Sequence, residues 1–153
     1  MRTERKCRDV GRTLKLLKEV ILDHWEHQLR KNLSEAFHAD PIVLKDHFSE
    51  ILDELILALD RNEIQEIYHA RAHGFQRAIL TNFTFQDVLQ EFSILRMSII
   101  DYLYPMGDIE CSKFVHTFID QAARDSISEF LRDVTIKKQF EKLPIEENQV
   151  SLN

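Results

Sequence analysis

The sequence predicts an all-α domain of about five helices, and three observations carry that prediction. Only three Gly and three Pro occur in 153 residues, so obligatory breaks are few. Apolar residues recur every three or four positions over long stretches, which lines one face of a helix. Alternating apolar and polar runs bounded by turn residues, the mark of strands, are absent. With 44% hydrophobic and 30% charged residues the composition is globular, and the length suits one sizeable core, so a single domain is expected.

Residues 1–9 are charged and aperiodic, and are expected as a flexible N-terminus or the exposed first turns of a helix. Leu14, Leu17, Ile21, Trp25, Leu29 and Leu33 then stripe a first helix to about Phe37, with Leu16 and Val20 widening the stripe. Asp40-Pro41 restarts the chain: the aspartate can accept from the exposed amides of a helix start, and proline is tolerated at its first position. The second helix carries Val43 or Leu44, Phe48, Ile51, Leu52, Leu55, Ile56 and Leu59, and Asn62 suits the left-handed stop. A third, over residues 63–80, places Ile64, Ile67, Tyr68, Phe75, Ala78 and Ile79 inward, with Ala70, Arg71, Ala72 and Gly74 between them. Gly74 costs about 1 kcal/mol of helix propensity relative to alanine, so a close helix approach is expected there.

The fourth helix has a nearly complete start signal. Thr84 and Asp87 form a capping box, and Phe83 can staple onto Val88. Its stripe is Val88, Leu89, Phe92, Leu95, Ile99 and Leu103, closed by Pro105 and Gly107. Asp108 caps a fifth helix running from Phe114 through Val115, Phe118, Ile119, Ala122, Ala123, Ile127, Phe130 and Leu131 to Val134, with Lys137 and Lys138 suiting its C-terminal dipole. The folded body is therefore expected over residues 10–140, and the acidic, aperiodic residues 141–153 as a linker or disordered tail.

A net charge of −6 and a pI near 5.6 argue against nucleic acid as the main partner. No apolar run approaches the roughly 18 residues of a membrane span, and no apolar region follows the basic N-terminus as in a secretory signal. Cys7 and Cys111 belong to no metal or redox spacing and are expected as free thiols in a reducing, cytoplasmic setting.

His69 and His73 share a helix face, as His24 and His27 nearly do, but two ligands do not close a metal site and no HExxH occurs. In a globin-like arrangement His47, His69 or His73 could serve as a haem axial ligand. No nucleophile signature or phosphate-cradling glycine loop is present, and the acids Glu50, Asp53 and Glu54 suit a solvated face. The expectation is thus no enzyme, no catalytic residue, no metal and no resident cofactor, with haem as the alternative. The polar residues of the third and fourth helices are the better candidates. If these helices pack antiparallel, Arg77, Arg96 or both can pair with Glu91 beside His73, as a structural salt bridge or as a ligand or partner site. An Arg96 buried against Glu91 would cost a few kcal/mol when cut to alanine.

His73-Gly74 with Arg77, Phe83-Thr84-Phe85, and Glu91-Phe92-Ser93-Ile94-Leu95-Arg96 resemble the N-terminal helical domain of RsbRD-type co-antagonists and of many bacterial sensor histidine kinases. Trp25, the Leu/Ile-rich second helix and Ile119-Asp120 with Ala122 extend the resemblance over about residues 10–135. The chain departs from the pattern at Thr81-Asn82, where relatives usually carry glycine, and at Phe92, commonly tyrosine. The resemblance implies a cytoplasmic signal-input module that homodimerises through a long first or last helix. Such a module passes a change of helix packing to a downstream kinase, output domain or partner protein. It also implies a globin-like arrangement without haem. The residues hold no kinase H-box or ATP-binding glycines, so the resemblance points to a sensor domain of a longer protein or to a stand-alone relative.

Overall fold

The structure, a computed structural model, describes residues 2–34, 40–103 and 109–143. Within them lie five helices and no strand: α1 (Arg2–Asn32), α2 (Pro41–Arg61), α3 (Tyr68–Leu80), α4 (Phe85–Leu103) and α5 (Ile109–Glu141). The all-α expectation is met. Phe37, the Pro105–Gly107 stop, the Asp108 cap and the tail from 144 onward lie outside the described residues.

α1 begins at Arg2, well before the apolar stripe that announced it. The stripe itself extends backwards, because Cys7 and Val10 are buried in register with Leu14, Ile21, Trp25 and Leu29. Cys7 is joined to Cys111 in the first turn of α5, across 104 residues of sequence. This corrects the expectation of two free thiols. Leu16 and Val20 do not widen the stripe; they are 86% and 48% exposed.

α1 and α2 run antiparallel, linked at the surface by Lys18–Asp53 and Lys45–Asp23 ion pairs of 2.8 Å. The three local signals around α2 and α4 hold. Asp40 accepts from the Ile42 amide at 2.8 Å ahead of Pro41, and Asn62 takes the left-handed conformation, φ 53°, with its N–H bonded to the Ala58 carbonyl. At α4, the Thr84 amide donates to Asp87 at 2.8 Å and the Asp87 amide to Thr84 Oγ1 at 3.2 Å, a closed capping box. Phe83 and Val88 are both buried, as the staple requires.

α3 starts at Tyr68 rather than near Glu63. Its own N-cap, Ile67, offers no side-chain acceptor. The Glu54 carboxylate of α2 replaces it, taking the amides of Tyr68 at 2.9 Å and His69 at 3.1 Å. A cap borrowed from another helix sets the first turn, and Ile67, 2% exposed, plugs the core just before it. The buried face of α3 is Ala70, His73, Gly74, Arg77 and Ala78, so Phe75 and Ile79, expected inward, turn outward at 53% and 38% exposed.

α3 lies along α5 so closely that a Cβ on Gly74 would stand 2.1 Å from the Ser126 carbonyl oxygen and 3.1 Å from the Phe130 nitrogen. Ser126 Oγ in turn donates to the Ala70 carbonyl. Both obstacles are backbone atoms and cannot rotate away. Gly74→Ala is therefore expected to destabilise by about 3 kcal/mol despite its better helix propensity; a thermal melt at or above the parent's would show that the two helices can part.

Candidate functional site

Three side chains with no solvent exposure meet between α3 and α4: His73, Arg77 and Glu91. His73 and Arg77, four apart on α3, face the same way, and Glu91 projects from the buried stripe of α4 between Val88 and Leu95. Arg77 grips the carboxylate with two prongs, Nε to Oε1 at 2.9 Å and Nη2 to Oε2 at 2.8 Å. The remaining guanidinium hydrogens reach the Leu44 carbonyl at 3.0 Å, the Val43 carbonyl at 3.1 Å and Gln76 Oε1 at 3.1 Å. All five donors of the arginine are thereby used, which is what makes a fully buried guanidinium tolerable. The Phe83 ring lies 5.2 Å from its carbon.

His73 Nε2 sits 3.1 Å from Glu91 Oε1, an oxygen that can only accept while ionised. The proton of a neutral His73 is therefore on Nε2, leaving Nδ1 bare, buried and without a partner. The ring is edged by Phe48 and Phe92, at centroid distances of 4.4 and 5.7 Å, and Phe48 also packs on Trp25 at 4.4 Å. Trp25 Nε1 then donates to the Glu91 backbone carbonyl at 3.0 Å. Glu91 thus ties α4 to α1 through its backbone carbonyl and Trp25, and to α3 through its carboxylate, with Arg77 carrying the link on to α2. Gly74, one residue from His73, brings in α5.

Burial pushes the His73 imidazole down, to about 4, against the opposing pull of Glu91. Burial alone would push the Glu91 carboxyl up, but Arg77 and then His73 outweigh it and hold the group below its usual range. The unfolded chain therefore binds more protons than the folded one on the acid side of neutrality. For His73, stability is complete above its unfolded value near 6.5 and is lost as pH falls toward 4, by about 3 kcal/mol. Glu91 continues the loss below 4.5. Melting temperature is expected to fall between pH 6.5 and 4 and to fall less in His73→Gln; equal slopes in the two proteins would remove His73 from the account.

Arg96 is not part of this centre. It lies on the opposite flank of α4 with its side chain 27% exposed, donating to His116 Nδ1 at 2.9 Å and to Asp120 on α5. The reason is angular: Glu91 and Arg96 are five residues apart, about 140° around a helix, so both cannot address α3. An exposed bridge of this kind contributes little, and Arg96→Ala is expected to cost under about 1 kcal/mol in a melt.

The histidines also diverge. His69 is on the surface, its Nδ1 2.7 Å from Glu54 Oε1 and its Nε2 3.6 Å from Glu50. His47, half-buried, meets Gln76 at 3.1 Å, and burial lowers its pKa. Although His47 lies within 6.4 Å of His69 and 6.2 Å of His73, ring to ring, the three point at different partners. Among the described residues no group of three or more His, Cys, Asp or Glu is disposed to hold a metal. As a haem ligand His73 would have to give up Glu91 and its aromatic neighbours.

Several members of the centre had no motif to announce them. Trp25 reads from sequence as a core anchor, and only the crossing of α1 with α4 turns its indole onto Glu91. The carbonyls of Val43 and Leu44, and Gln76, are likewise found only by position in space. Among the described residues no helix is long and apolar enough to cross a membrane. No family model, curated protein or solved structure matches the chain.

Proposed function

We propose that the chain is a non-catalytic signal-input domain, working by self-association and by changes of helix packing passed to an output domain or partner, as in a sensor kinase or stressosome-type protein. The observation that carries this reading is the sealed Glu91–Arg77–His73 centre. With zero exposure it meets no substrate, yet its bonds run to α1, α2 and α3 at once, so a displacement of one helix is felt by the others. The end of α5 supports an outward route. Around the Lys137–Ala78 contact with α3, Ile136 and Phe140 are 42% and 68% exposed and one turn apart, an apolar edge open to whatever follows the helix.

A cytoplasmic setting belongs to the same proposal, and there the Cys7–Cys111 bond would face a reducing pool. Native mass spectrometry of the protein purified from its source tests the reading. A mass of the bare chain or its multiples is expected; a stoichiometric small molecule, or a Soret band on adding haem, would overturn it in favour of a ligand sensor.

A further inference from the structure

We infer that the outer face of α4, with the grooves on either side of it, is where a second copy of this chain docks. This rests on the self-association proposed above and names its surface. From its Thr84 cap to Met97, the exposed residues of α4 are Thr84, Phe85, Gln86, Leu89, Gln90, Ser93 and Met97, with no charge among them before Asp101, one turn further on. The charged residues along that length are engaged elsewhere, Asp87 in the capping box, Glu91 in the core and Arg96 on Asp120. The exposed side of α1 contrasts with it, carrying Arg8, Asp9, Arg12, Lys15, Glu19 and Asp23. An uncharged helix face with aromatic and Met side chains has the composition of an interface centre.

The shape fits the same occupant. Phe85, Leu89, Ser93 and Met97 stand four apart, a single ridge whose three apolar members are 44%, 45% and 57% exposed and whose middle is the small Ser93. Beside it run a groove of about 760 Å³ against α5, with Leu89, Phe92, Ala123 and Ile127 on its walls and Arg96, Asp120 and Arg124 among them, and one of about 460 Å³ against α1. A ridge of i±4 side chains flanked by grooves is what an identical helix needs in order to interdigitate with it. Charge agrees as well. Arg124 on the α5 groove and Asp101 on the α1 groove have no partner among the described residues, and a twofold contact, in which each surface meets its own copy, can set opposite charges facing.

Three helices about 9 Å apart over a ridge about 18 Å long offer roughly 500 Å² per copy, or about 1,000 Å² in all. That is the lower bound for a specific contact, so the dimer is expected to form at micromolar concentrations. Light scattering on the full chain at about 100 µM tests it. The wild type is expected at twice the chain mass of 18.1 kDa. Leu89→Glu and Ser93→Arg, both at exposed positions, are expected at the single mass with unchanged circular dichroism. Leu16→Glu on α1 and Phe140→Glu on α5 should remain dimeric. A monomeric wild type would overturn this surface and self-association together. A dimer that survives Leu89→Glu and Ser93→Arg would overturn the α4 surface alone.

Discussion

Arg77→Met is expected to lower stability by about 3–5 kcal/mol, or roughly 10–15 °C in melting temperature for a chain of this size. Methionine fills most of the space, so the loss is electrostatic. Glu91 keeps only His73 as a donor, and the carbonyls of Val43 and Leu44 lose theirs. The change also reverses a sign. With the guanidinium present the folded state holds Glu91 below its ordinary pKa, so its contribution disappears as pH falls. Without it, burial raises the carboxyl, and stability is then greatest at low pH and lost as pH rises through the raised value. Thermal melts between about pH 5 and 8 should slope in opposite directions for the two proteins. The double variant Arg77→Met/Glu91→Leu removes both charges and is expected to regain much of the loss, because the penalty lies in the unpaired ion. A single variant melting within about 1 kcal/mol of wild type would mean that water reaches Glu91.

Reduction of Cys7–Cys111 is expected to cost about 4–5 kcal/mol. The bond closes 104 residues, most of the chain, and a loop of about 100 residues lowers unfolded-state entropy by about that amount. It also joins two helix beginnings. Cys7 and Cys111 are each 2% exposed, and with the bond cut the first turns of α1 keep Val10 and Leu14 as their core contacts. Melting with and without a phosphine reductant, alongside Cys7→Ser, should show a common drop of roughly 10–15 °C. Thiol titration of the unfolded, unreduced chain should find no free thiol; two titratable thiols, or coincident melts, would show that the pair is merely adjacent. The expectation of free thiols failed for a simple reason. Spacing in sequence reports local motifs, and these two residues come together only through the packing of the first helix on the last. Their place in the apolar rhythm, Cys7 with Val10 and Leu14, Cys111 with Val115 and Phe118, was the available sign that both are interior.

What the sequence determined by itself is what depends on neighbours within about four residues. The helices as elements, the Asp40 start, the Asn62 stop and the Thr84/Asp87 box are all local hydrogen bonding and periodicity, and they stand as expected, although Leu16, Val20, Tyr68, Phe75, Ile79, Leu89 and Leu131 of the expected stripes are exposed. His73, Arg77 and Glu91 were also legible as a group, because ionisable residues inside apolar stripes have to find one another. Tertiary structure decided the rest. Interhelical crossings sent Arg96 to Asp120 instead of Glu91, lent α3 the Glu54 carboxylate as its cap and so moved its start to Tyr68, and turned Trp25 onto a backbone carbonyl. They also chose among apolar residues: the narrow approach at Gly74 goes with Ala70 and Ala78 inside and Phe75 outside, and on α4 Leu89 and Met97 are left exposed. Periodicity marks which residues are able to be buried, and only the packing of the five helices on one another settles which of them are.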